Sequence, residues 1–141
     1  MKVTDVRSGD GGFPEDYTYE RRSGAGFDET LGSITHAIES RDLVVRRTYD
    51  IQSALEAKGF PIQPLTILEV GRAHDSSSTE LAGLLTPLRF NVYQRGDHVF
   101  VSALRPSFVT RLVSDDAVVR LAACLERDVL AVVDAAAGDG T

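Results

Sequence analysis

The sequence predicts a two-layer α+β domain, a mixed sheet of about five strands covered by helices. Three observations carry this. Apolar residues switch repeatedly between a spacing of two and a spacing of three to four, so strands and helices are interspersed along the chain. Gly96 and Asp97 join two alternating segments and mark one antiparallel hairpin. The last long segment is amphipathic at helical spacing and supplies a covering helix.

Taken in order, residues 1–16 hold three glycines, a proline and scattered charges, and read as a mobile tail. Residues 17–22 alternate as a short strand, with Tyr17, Tyr19 and Arg21 on one face and Thr18, Glu20 and Arg22 on the other. After the break at 23–26, Phe27, Leu31, Ile34 and Ile38 form one helical stripe, with Asp28 and Glu29 favourably placed in the first turn. His36 falls opposite that stripe and should face water. Residues 43–49 read as a strand. Asp50 is a good N-cap for a short helix over 51–58, which Gly59 can end in a left-handed conformation.

Residues 65–70 form the third strand. It is apolar on both faces apart from Thr66 and Glu69, so it should lie inside the sheet. Ser77 and Glu80 have the spacing of a capping box for a helix that stops before Pro87. Residues 88–94 and 98–104 are the hairpin strands. The Arg95-Gly96-Asp97 tripeptide matches an integrin ligand, but it reads here as turn chemistry. Residues 105–113 suggest a short helix. In the final helix Val118, Leu121, Ala122, Leu125, Val129, Val132 and Val133 share one stripe, capped by Asp115 or Ser114. Residues 137–141 read as a frayed end, leaving a single domain over 17–136.

The totals exclude several classes. A chain of 141 residues, 43% hydrophobic and 26% charged, buries a sufficient core without a metal or disulfide. A net charge of -6 argues against a nucleic-acid or anionic-membrane partner. The pairs Arg21-Arg22 and Arg46-Arg47 have acidic neighbours and read as solvated strand ends. Cys124 is the only cysteine, so no intramolecular disulfide or multi-cysteine metal site is expected. No signal peptide or membrane span is evident, and the expected location is the cytoplasm.

At "YDIQSALEAKGF", "LTILEVG" and "PLRFNVYQ…VFVSALRP" the chain resembles the bacterial and archaeal family known as domain of unknown function 302. The likeness runs from about Tyr17 to Ala136. Its strongest points are Asp50-Ile51-Gln52 with Leu55, the Ile67-Leu68 strand, and Pro87 before a Val92-Tyr93 strand. The resemblance implies a compact α+β fold and commonly a homodimer. It implies no reaction. Many relatives carry a cysteine after the strand matched by Ile67-Leu68 and another after the proline matched by Pro87. Here those positions are Gly71 and Leu88, so no thiol redox or thiolate-metal role carries over.

If the end of the third strand lies beside the start of the fourth, Arg72, His74, Arg89 and Asn91 converge. Two arginines, an imidazole and helix-start amides would suit a small anionic ligand, with Gly71 letting it approach the backbone. The competing reading makes the arginines surface charges and His74 a loop residue. A triad of His74, Asp75 and Ser76 is rejected, because adjacent side chains do not converge. His36, His74 and His98 lack metal-ligand spacing, and no glycine-rich phosphate loop is present. No metal or cofactor is therefore expected.

Three readings follow. The first is a non-catalytic homodimeric ligand-binding or accessory domain, joined through a sheet edge or the flank of the last helix. The second is an enzyme on a small anionic substrate, with His74 as acid or base and Arg72 and Arg89 as anchors. The third is a binder of a larger partner through the hairpin.

Overall fold

A computed structural model describes residues 17–73 and 85–138 of the chain. The chain runs β1 (Thr18–Arg22), α1 (Phe27–Glu39), β2 (Leu43–Asp50), α2 (Ile51–Glu56), β3 (Leu65–Arg72), β4 (Leu88–Arg95) and β5 (His98–Leu104). A 3-10 turn over Pro106–Arg111 and the long helix α3 (Asp116–Ala137) complete it. The expected tail over 1–16 and the Ser77–Glu80 capping box lie outside the described residues, as do the last three residues of the expected frayed end.

The strand order is β1-β5-β4-β3-β2. All four pairings are antiparallel, where the sequence suggested a mixed sheet. The reason is topological. β1 and β2 run in the same direction, but α1 carries the chain across the sheet, so they become opposite edges and never pair. Every other connection joins neighbours that reverse direction. β3 is an interior strand, as its two apolar faces implied.

Alternation then assigns the faces. Leu68 and Val70 on β3, Leu88, Phe90 and Val92 on β4, and Val101 on β5 are buried together. Against them lie Ile34 and Ile38 of α1 and the stripe of α3 that includes Leu125, Val129 and Val132. These α3 residues are completely buried, so the covering-helix reading holds. His36 is exposed on the far side of α1, as its position in the stripe required.

Polar latches hold the layers in register. The Tyr19 hydroxyl donates to Asp134 Oδ1 at 2.7 Å, and Arg21 Nη1 donates to the same oxygen at 2.9 Å. The bond to Asp134 is the main cause that holds the Tyr19 phenol above its usual value. Arg41 joins Asp128 at 3.0 Å, tying the end of α1 to α3. Beneath them, buried Ser23 and Thr30 satisfy each other at 2.6 Å, so neither hydroxyl is left unpaired inside the protein.

The local signals also acted as expected. Gly59 and Gly96 adopt positive φ, and Arg95 pairs with His98 across the two-residue turn. Asp115 caps α3 through Ala117 N at 2.8 Å. Asp50 caps α2, accepting from both the amide and the hydroxyl of Ser53 at 2.9 Å. The Ser53 amide first, then its hydroxyl, holds the Asp50 carboxyl below its ordinary value. The folded value is the lower one, so the cap is fully present above the ordinary carboxylate range. It is lost as pH falls through the lowered value. Urea midpoints of the wild type and Asp50→Ala should therefore converge as the solution is acidified from neutrality. A gap independent of pH would contradict this.

Candidate functional site

The end of β3 and the start of β4 do lie together, as paired neighbours. A register shift between Val45 and Arg47 leaves Arg46 as an extra residue in β2. Its side chain lies across Gly71, where an added Cβ would meet Arg46 Nε at 2.9 Å. Arg46 Nη2 also donates to the carbonyl of Arg72 at 3.2 Å. Arg46, Gly71, Arg72, Thr86 and Pro87 together line a hollow of about 240 Å³. Among the described residues, no carboxylate pairs with Arg46 or Arg72.

The other expected site residues are occupied elsewhere. Arg89 Nη2 donates to Glu69 Oε2 at 2.8 Å, and Tyr49 Oη donates to the other oxygen at 3.3 Å. Arg89 borders a separate, mainly apolar hollow of about 150 Å³ with Leu104 and Arg105. Asn91 reaches Ser102 Oγ at 3.4 Å. Alternation separates the Arg72 side chain from Arg89. Gly71 and Glu69 point to the same sheet face as Arg89, whereas Arg72 is the next residue along and points to the other. Gly71 and Arg72 share a hollow with Arg46, Arg72 meeting it through its backbone carbonyl, and Arg89 and Asn91 do not line that hollow. His74 lies outside the described residues.

Arg46 is exposed, as a solvated residue should be, but sequence reasoning missed its approach to Gly71. The usable signal was Gly71, because a glycine inside a strand pattern marks a close approach. The approaching group is a side chain of the same protein.

Both long helices lie on one face of the sheet. Among the described residues, neither covers the other face. That face, bare of the long helices, carries the half-buried Leu65, Ile67, Tyr93 and Phe100 and the exposed Leu104, with Tyr93 and Phe100 stacked at 5.3 Å between ring centres. Arg95 covers both rings at 5.4 and 5.8 Å. Some of its polar groups are paired across strands: Tyr93 donates to Glu20 at 2.6 Å, Arg89 to Glu69, and Asn91 to Ser102.

A further cavity of about 440 Å³ sits at the start of α1, where Arg22 and His98 share the lining with Asp97. Cys124 is a free, half-buried thiol on the flank of α3. Among the described residues, no group of three or more His, Cys, Asp or Glu side chains gathers as metal ligands. None of their helices is long and apolar enough to cross a membrane.

These features define a single two-layer α+β domain, with an antiparallel 1-5-4-3-2 sheet whose two long helices lie on one side. No curated protein matches the chain. The chain belongs to the family described as Domain of unknown function DUF302, whose family model matches residues 19–136. Among solved structures it is similar to an uncharacterized conserved protein DUF302 from Bacillus stearothermophilus. The two are 22% identical over 84% of this chain and 97% of that one, with a TM-score of 0.76. That likeness is one of fold.

Proposed function

We propose that this chain is a cytoplasmic, homodimeric ligand-binding or accessory domain, and that two copies join through the bare face of the sheet. The bare face is the observation that supports this reading. A sheet normally buries its apolar face against another layer, and among the described residues both long helices lie on the same face. Leu104 is 51% and Tyr49 36% exposed on that face, both high for large apolar side chains.

The geometry favours a second sheet as the cover. Strands about 4.8 Å apart and three rows of outward residues make a face on the order of 20 Å across. Two such faces packed together bury on the order of 1,000 Å², about the minimum for a biological interface. Aligned sheets pack with their strands within about 30° of each other, a geometry open to two identical faces. Glu20, Glu69 and Asn91 already have partners within each copy, so drying the face leaves those groups satisfied.

The enzyme reading has less support. Its two arginine anchors, Arg72 and Arg89, open into different hollows. Sedimentation velocity at micromolar concentration is expected to show a species of twice the chain mass. A monomer alone would overturn the proposal.

A further inference from the structure

We propose that the hollow between the end of β5 and the start of β4 binds a short-chain monocarboxylate, its head held by Arg105 and its tail by apolar side chains. This deepens the ligand-binding part of the reading above and does not depend on the dimer. The sequence builds the site at Leu104-Arg105-Pro106. The proline keeps Arg105 extended, with φ of -77° and ψ of 126°, where the chain turns from β5 into the 3-10 turn. The Arg105 amide donates to the Tyr17 carbonyl at 2.6 Å, and its own carbonyl accepts from the Phe108 amide at 3.0 Å. The guanidinium lies over the Tyr19 ring, 5.5 Å from its centroid. Backbone and head group are thus both held in place.

The hollow measures about 150 Å³, and apart from Arg89 and Arg105 its lining side chains are apolar, Leu85, Leu88, Leu104 and Val109 among them. Arg89 is neutralised by Glu69 at 2.8 Å. Arg105 differs. Among the described residues it has no carboxylate partner, and its Nε is buried without a hydrogen-bond partner. A buried donor on a charged group is costly to leave without an acceptor, and folded proteins rarely do so. A water at this place needs two to four polar partners, and the apolar side chains of the wall offer it none. A carboxylate supplies the missing acceptor and the missing charge together. The wall then sets the rest of the ligand. A dry cavity of ~150 Å³ takes up a molecule the size of benzene, about six heavy atoms, which is the size of butyrate.

The test is an NMR titration of the full chain with butyrate, and with butyramide as its uncharged counterpart, at constant pH and ionic strength. It reads the Arg105 Nε–H and the methyls of Leu85, Leu88 and Val109. Butyrate should give a saturable response centred on these groups, and butyramide should bind about tenfold more weakly, the worth of a charged hydrogen bond. Arg105→Gln should weaken butyrate by a similar factor. Val109→Phe, which fills the hollow and keeps the arginine, should abolish the response, and so tests the site a second time if Arg105→Gln does not fold. Exposed Arg120→Gln on α3 should bind like the wild type.

A saturable response centred elsewhere, or unchanged in Arg105→Gln, would remove this site and leave the binding reading standing. Equal binding of butyramide would overturn the carboxylate. A response linear in concentration, or absent for both probes, would also overturn the site. Sedimentation of the same samples reports the dimer separately, so a failure of one claim is not mistaken for a failure of the other.

Discussion

Replacing Phe90 by alanine is expected to cost about 3–5 kcal/mol of folding stability, measured by urea denaturation. Phe90 is fully buried on β4, the middle strand of the five. Its backbone pairs with Leu68 on one side and Ala103 on the other, and its ring belongs to the core under α1 and α3. Removal leaves a cavity that no single neighbour can fill, because both flanking strands are held by their own ladders. Domains of this size are stable by only about 5–15 kcal/mol, so the variant should sit near the edge of folding. A loss below about 1 kcal/mol would mean that the sheet and helices do not close over Phe90.

The double variant Ile67→Asp, Phe100→Asp is expected to be a folded monomer. Both residues lie on the face away from the long helices and neither belongs to the main core. Two added carboxylates per copy would place four unpaired negative charges in the proposed interface. The cost of drying them exceeds the gain from the remaining apolar contact. Sedimentation should move from twice the chain mass to one, while the far-ultraviolet circular dichroism stays that of the wild type. A variant that remains dimeric would place the interface elsewhere. The half-exposed Val119 on α3 and Leu112 before it are the next candidates.

Much of the fold was legible because it rests on local rules. Alternation placed Tyr19 and Arg21 on one face of β1, and both reach Asp134 on α3. Helical spacing marked the buried stripe of α3 and the outward position of His36. Glycine chemistry marked Gly59 and the turn at Gly96.

What was not legible depends on which strands become neighbours. Nothing local says that Glu69 meets Arg89, a pairing that takes one expected anchor away from the hollow. Nor does anything local say that β2 carries a bulge at Arg46. The helical reading of residues 105–113 also shortened to a 3-10 turn over Pro106–Arg111. Gly71 was the one local sign of a close approach, and it named the place without naming the partner.

The central claim is that a second copy covers the face the helices leave bare. An isotope-filtered NOE experiment on a mixture of ¹³C-labelled and unlabelled chains tests it most directly. Cross-peaks between the labelled methyls of Leu65 and Ile67 and the aromatic protons of Tyr93 and Phe100 on the unlabelled copy are the expected result. Their absence, or intermolecular peaks confined to Leu112 and Val119, would contradict the account.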